Sequence, residues 1–262
     1  VANLLPKALI VVHFSGLSCE MQTIQSLANK HSVVLIEDAA HALGGSYQKQ
    51  KIGSCQFSDM TVLSFHPVKS ITSAEGGAVL TNNMALDRDL KLFAKHGVTR
   101  DASQMVTASQ GPWYYQQVAL GYNYRLSDLH AALGLSQLSK LDSFIHRRTE
   151  LALRYQQKLA GLPLTLPTLD NQSKSAWHIY MVEVTEHQRK EVFESLQQKG
   201  VGVNVHYIPI HLHPYYQQLG FKQGDFPVTE KFYQHALTLP LYPSLSDQQQ
   251  NIVIDALHQV LQ

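Results

Sequence analysis

The sequence predicts an α/β domain followed by a smaller α+β domain. Three observations carry this reading. Nearly unbroken apolar runs at residues 8–14, 33–37 and 60–65 read as strands buried on both faces. Apolar residues at helical spacing lie between the first two runs. A segment rich in Pro, Asn and Ser, residues 161–175, then separates this pattern from a second set of elements.

The first strand, residues 8–14, passes through His13 near its end. Met21, Ile24, Leu27 and Ala28 fall on one helical face. The second strand, residues 33–37, is succeeded directly by Asp38. This strand–helix–strand order predicts a parallel sheet. A third strand is expected at residues 60–65 and a fourth at 77–81, with Leu86, Leu90, Leu92 and Phe93 marking the next helix. Residues 99–118 are polar and include the turn dipeptide Gly111-Pro112. An irregular segment of that length inside a domain is usually functional or mobile. Ser127 is a plausible N-cap, and Leu129, Leu133, Leu138, Leu141, Ile145 and Leu151 predict one long, bent helix reaching about Lys158. The domain boundary is placed between residues 140 and 141, so that residues 141–262 hold a connecting helix and the small domain. There the pattern predicts a strand at 177–184, a helix at 188–199 closed by Gly200, a strand at 201–207, and helices at 228–237 and 247–261.

Composition narrows the function classes. The 262 residues carry a formal charge of +1, and 16% are charged, against about 25% in an average soluble chain. A general nucleic-acid partner is not expected without a basic excess. No apolar stretch approaches the roughly 20 residues of a membrane helix. Cys19 and Cys55 are too few for a disulfide framework and read as small buried residues. No signal-peptide pattern opens the sequence, so a cytoplasmic protein is expected.

Ligands of open α/β sheets gather beyond the carboxyl ends of the strands. The residues at those ends are chemically pointed: His13 after the first strand, Asp38 and His41 after the second, Ser64, His66 and Lys69 after the third. A lysine that forms a Schiff base with pyridoxal phosphate needs a carboxylate facing the pyridine nitrogen and donors for the phosphate. It also needs an apolar or imidazole face against the ring. Asp38, Ser64 and Lys69 meet the first two needs, and His13 or His41 could meet the third. Singly, each of these residues has a plainer reading, as a turn former or a solvated charge.

Five ordered segments resemble the DegT/StrS family of sugar aminotransferases. They are Glu37 to Gly44 (EDAAHALG), Ser64 to Lys69 (SFHPVK) with Glu75-Gly76-Gly77, Gly121 to Ser127 (GYNYRLS), Tyr207 to His211 (YIPIH) and Leu239 to Pro243 (LPLYP). The His-Pro-Val-Lys stretch is most similar to the branch that aminates UDP-linked 4-keto-6-deoxy sugars for pseudaminic acid. The resemblance implies fold type I, a three-layer α/β/α large domain with a smaller α+β domain, and a homodimer. It implies that Lys69 carries the cofactor, that Asp38 pairs with the pyridine nitrogen and that His41 lies near the ring. Ser64 would bind the phosphate, and Asn123 would reach the phosphate in the neighbouring subunit. Tyr207, Pro209 and His211, with His13, would approach the nucleotide-sugar. The expected donor is L-glutamate.

Other residues are less pointed. His206, His211 and His213 invite a metal reading, but no carboxylate or Cys adjoins them, and substrate contact or a surface cluster is preferred. Trp177-His178 suits core packing as well as a site. Arg125 could pair with an acid across the dimer or bind a phosphate. Relatives carry a further N-terminal segment with a Gly/Ser/Thr loop that helps hold the phosphate, and this sequence, which opens on Val1, has no counterpart. Weak cofactor binding and poor activity are therefore expected of this chain taken alone. Two alternatives stand beside the aminotransferase: a sugar dehydratase of the same family, which Lys69 argues against, and a non-catalytic fragment that only pairs with a partner.

Overall fold

Four strands form the central sheet, in the order β1 (Ala8–Val12), β2 (Val34–Asp38), β5 (Met60–Ser64), β6 (Gly77–Leu80). The computed structural model describes residues 5–185 and 188–261. The sequence's opening Val1-Ala2-Asn3 lies outside them. The chain divides into two compact units, Val1–Leu141 and Asp142–Gln262.

In the first unit β1 and β2 run parallel with Val12 opposite Asp38, and β2 and β5 run parallel with Asp38 opposite Val62. Helix α1 (Met21–Lys30) makes the crossover between β1 and β2 and buries Met21 and Ala28 against Leu35 and Tyr47. A short hairpin, β3 (Ser46–Tyr47) and β4 (Gln50–Lys51), precedes β5. β6 departs from the parallel expectation and runs antiparallel to β5, with Ser64 opposite Gly77. The reason is the connection. Residues 65–76 hold turns but no helix, and a parallel return needs a longer crossover.

Helix α2 (Met84–Phe93) is capped by Asn83, whose Oδ1 accepts the N–H groups of Ala85 at 2.9 Å and Leu86 at 3.3 Å. The polar stretch beyond it holds only β7 (Val98–Thr99), β8 (Gln116–Gln117) and a short 3-10 turn. Gly97 and Gly121 meet at its base. Gly97 has φ +69°, and a Cβ placed on it would lie 1.8 Å from the carbonyl oxygen of Ala119. Gly97→Ala is therefore expected to cost about 1–3 kcal/mol from backbone conformation alone, with the clash added. A lowered denaturation midpoint for the first unit is the measurement.

The single long helix expected from Ser127 is two helices, α3 (Asp128–Leu138) and α4 (Leu141–Lys158). The break sits at Ser139-Lys140. Ser139 Oγ donates to the Ser136 carbonyl at 2.9 Å, and the Lys140 N–H turns to Gln137 O at 2.9 Å. Both bonds reach back three residues, tighter than an α-helix, and end α3. No α3 residue is buried.

The second unit contains a short strand, β9 (Ser173–Lys174), and an antiparallel pair, β10 (Tyr180–Glu183) with β11 (Ala236–Leu239). Helices α4, α5 (Arg189–Gln198) and α8 (Asp247–Leu261) contribute to one core that includes Leu151, Tyr155, Leu196, Leu237 and Leu257. Gly200, at φ +77°, closes α5. Ser246 and Gln249 exchange side-chain bonds with each other's backbone N–H, at 3.1 and 2.9 Å, and so box the start of α8. Pro214 and Pro227 open α6 (Pro214–Gln217) and α7 (Pro227–His235).

Two expectations change in this unit. The strand at 201–207 is reduced to one bridge, Asn204 with Thr238, because the Asn204 side chain takes the next N–H, of Val205, at 2.8 Å. The helix expected to reach 237 stops at His235, and Ala236–Leu239 becomes a fully buried strand. The short Ala-Leu-Thr-Leu run before Pro240 fits both patterns, and pairing with β10 decides it. Arg148 is buried in this unit, and one of its nitrogens, Nη1, donates to the carbonyls of Trp177, His178 and Leu241. Burial pushes its guanidinium down, to about 10.

Candidate active site

Asp38 is the last residue of β2, flanked by β1 and β5. Its Oδ1 accepts the N–H of Ala40 at 3.1 Å, which holds the side chain at the strand end. The backbone closes around it: His13 N–H donates to Asp38 O at 3.0 Å, and Ala39 N–H to Val62 O at 2.9 Å. His41 lies in the next turn, nearly buried, its ring 5.8 Å from that of Phe14.

The segment after β5 brings Ser64 and Lys69 to the same edge. Ser64 Oγ accepts the His66 N–H at 3.4 Å and keeps its own hydrogen to donate. The Lys69 N–H bonds His66 O at 3.0 Å in a tight turn. Its ammonium is half-buried. Burial pushes its pKa below the ordinary 10.5, while the charge of Asp38 opposes the change. Gly77 lets β6 pass close to β5, since a Cβ there would lie 2.7 Å from Leu63 O.

His13 lies at the same edge but in another role. It is 0% exposed, its Nε2 is 2.7 Å from Glu37 Oε2, and its Nδ1 accepts the Cys19 N–H at 3.2 Å. A ring with no exposed surface and both nitrogens engaged cannot touch a ligand. The expected substrate contact of His13 is therefore corrected to a structural one. Glu37, which the sequence shows only as a strand residue beside Asp38, is its partner. It is buried, and its Oε1 also accepts from Thr61 Oγ1 at 3.1 Å and from Ser58 Oγ. The available signal was an acid inside an apolar strand, with a histidine at the end of the strand before it.

Burial raises the Glu37 carboxyl, but bonds from His13 and Ser58 outweigh this and hold it below its ordinary 4.5. A depressed carboxyl stabilises the fold above its unfolded pKa and loses that contribution as pH falls through the folded one. Wild type is expected to melt above Glu37→Gln at neutral pH, and the gap should close in acid below about pH 4.5. Paired melting curves across pH read it.

Asn123 is exposed, and its Oδ1 accepts from Arg125 Nε at 3.2 Å. The exposed rings of Tyr122 and Tyr124, on either side of Asn123, stack 4.8 Å apart. In the second unit Tyr207 is about half exposed, and Pro209 is buried. His211 is nearly enclosed, with Nε2 2.7 Å from Glu230 Oε1. Glu230 also accepts the N–H groups of Gly224 and Phe226. His206 Nδ1 lies 2.8 Å from Thr238 Oγ1. Among the described residues, no three His, Cys, Asp or Glu side chains gather as a metal would require, and no helix is long and apolar enough to cross a membrane. A groove of about 730 Å³ runs along β6 and α2, lined in part by Val79, Leu90, Phe93 and Tyr122. It includes none of Asp38, His41, Ser64 and Lys69, so it is not the chemical centre.

The donor set fits pyridoxal phosphate: a carboxylate held at a strand end, a lysine amine of lowered pKa near it, a hydroxyl, and an imidazole packed at the same edge. Fold and site together define the class of pyridoxal-phosphate enzymes of fold type I. The comparisons with known proteins narrow this. A profile of the DegT/DnrJ/EryC1/StrS aminotransferase family matches residues 3–258, and the chain belongs to that family. It is 39% identical over 262 residues to the spore coat polysaccharide biosynthesis protein SpsC of Bacillus subtilis, covering 97% of this chain and 67% of that protein. Among solved structures it matches Helicobacter pylori PseC, an aminotransferase involved in the biosynthesis of pseudaminic acid, with TM-score 0.88 and 34% identity over 97% of this chain and 67% of PseC. It matches DesV of S. venezuelae, solved with a ketimine intermediate, with TM-score 0.86 and 32% identity over 97% of this chain and 64% of DesV. The chain thus spans about two thirds of these relatives. It is a pyridoxal-phosphate-dependent sugar aminotransferase by family.

Proposed function

We propose that this enzyme moves an amino group from L-glutamate to the 4-keto carbon of a UDP-linked 4-keto-6-deoxy amino sugar. The product would be of the UDP-4-amino-4,6-dideoxy-N-acetyl-altrosamine type, made in the cytoplasm for a surface glycan such as one bearing pseudaminic acid. The observation that carries the chemistry is the placement of Asp38 and Lys69 past the carboxyl ends of two adjacent parallel strands. The similarity to PseC supports the sugar.

Bound pyridoxal phosphate supplies an electron sink for a carbanion next to nitrogen. The chain's residues do the rest. Lys69 Nζ would hold the cofactor, and its free amine would take the proton from the donor's α-carbon. Only the neutral amine can do so, and burial favours that form. Asp38 would pair with the pyridine nitrogen and keep it protonated. Ser64 donates to the phosphate, and His41 packs beside the ring. Exposed Tyr207 contacts the nucleotide-sugar, while Pro209 and His211, both buried, shape its loop, His211 through Glu230, in place of the direct sugar contacts expected of them.

A homodimer completes the reading, with Asn123 reaching the phosphate bound by the neighbouring subunit. Its exposure, beside the exposed side chains of Tyr122, Tyr124 and Leu129, supports this placement. The deciding experiment supplies a UDP-4-keto-6-deoxy amino sugar and glutamate, and monitors 2-oxoglutarate and amino-sugar by mass. Loss of water from the sugar without amino transfer would assign a dehydratase. Slow turnover is expected of this chain taken alone, and amino-sugar formed equally well by Lys69→Ala, or a borohydride-stable mass placed on another lysine, would reject the reading.

A further inference from the structure

Glu37 and Asp38 are neighbours on β2 and therefore point to opposite faces of the sheet. Asp38 is the proposed partner of the cofactor. Glu37 points inward, 5% exposed, and among the described residues no Lys or Arg is paired to it. Its carboxylate collects three side-chain donors from three places. His13 comes from the end of β1, Ser58 from the approach to β5, and Thr61 from β5, directly opposite Glu37. His13 closes the circuit through its backbone, donating its N–H to the carbonyl of Asp38 at 3.0 Å. Its other ring nitrogen is occupied by the Cys19 N–H, which leaves the Nε2 proton for Glu37. Apolar residues of similar size would fill this space with no charge to desolvate, so stability alone gives little reason for the group. What the network does is fix geometry on both flanks of one peptide.

We infer that His13 and Glu37 are positioning residues whose buried contact clamps the carboxyl ends of β1, β2 and β5 and so aims the Asp38 carboxylate. The role toward the cofactor rests on the function proposed above, while the clamp itself can be read in the cofactor-free chain. The amides of Ala39 and Ala40 report it. The first bonds Val62 O, and the second bonds Asp38 Oδ1 itself.

The test is site-resolved amide exchange on wild type, Glu37→Ala and Glu37→Gln. Glu37→Ala removes the acceptor. Glu37→Gln keeps most of the network, because the hydroxyls of Ser58 and Thr61 can turn to accept from an amide. Exchange at Ala39 and Ala40 is expected to quicken about tenfold or more in Glu37→Ala, the size of a lost hydrogen bond to a charged group. Glu37→Gln should lie between it and wild type, and the amides of α1 should change far less. Equal acceleration across the whole first unit, or none at Ala39 and Ala40, would overturn the clamp. Should Glu37→Ala fail to fold, His13→Phe keeps the ring volume, removes the donor and is read at the same amides.

Cofactor titration gives the second reading. Pyridoxal phosphate should bind Glu37→Ala about tenfold more weakly than wild type, with its visible absorbance titrating at higher pH because the ring nitrogen is less firmly protonated. Unchanged affinity and absorbance would end the claim that the clamp serves Asp38. A wild-type chain that takes up no cofactor while exchange still quickens at Ala39 and Ala40 would reject the proposed function and retain the clamp.

Discussion

Lys69→Ala is expected to abolish amino transfer, by at least about 10⁴-fold, the upper range for one positioned acid–base group. Two losses coincide. The chain loses the amine that holds the cofactor, and it loses the base that takes the α-proton. No other lysine replaces it. Lys49 and Lys51 are the lysines in the stretch leading to β5, and both lie in the β3–β4 hairpin rather than at the carboxyl edge. Folding should be little affected, because Lys69 is only partly buried and its side chain makes no hydrogen bond among the described residues. The measurement is paired. Amino-sugar formation should vanish, and the borohydride-stable mass on the wild-type protein should be absent from the variant. Retained turnover would refute the mechanism.

Asp38→Asn should give the next largest loss, about 10²–10³ in kcat, the size seen when one electrostatic partner of a reacting centre is removed. The choice of Asn matters. The side chain can still accept the Ala40 N–H, so the turn at the strand end survives. Only the charge goes, and with it the reason for a proton to stay on the pyridine nitrogen. Binding of the cofactor should weaken much less than turnover falls. Lys69 would also lose the neighbouring charge that raises its pKa. Its amine should therefore titrate lower in Asp38→Asn, a shift visible in the pH dependence of its reaction with an amine reagent. A variant with normal kcat would remove Asp38 from the site.

Much of this site was legible because its residues fall where the fold repeats itself. Asp38 ends one strand of a parallel pair and Lys69 lies just past the other, and that topology sends both to one edge. The helices read well where the end signals are local: Ser127 caps α3, accepting the His130 N–H, and Gly200 closes α5. The failures were non-local. β11 looked like the end of a helix until β10 lay beside it. The antiparallel β6 depended on a connection whose turns carry no apolar period. His13 misleads for the same reason. Its neighbours in sequence are those of a ligand-facing strand end, and only Glu37, from another strand, shows that it faces inward. Even the α3–α4 break turned on a serine hydroxyl and one backbone N–H reaching back three residues, which periodicity does not see.

Among the described residues, β1 and β6 each have a hydrogen-bonded neighbour on only one side in the central sheet. Along β1 runs Ala8-Leu9-Ile10-Val11-Val12, with Ile10 and Val12 exposed and no charge, proline or bulge within it. Natural edges usually carry such guards. Backbone groups so placed are a template for any strand that can align with them, and the isolated 262-residue chain offers many copies of one. Concentrated preparations of this chain should associate edge to edge, gaining intermolecular β signal in the infrared, and Ile10→Lys should suppress it.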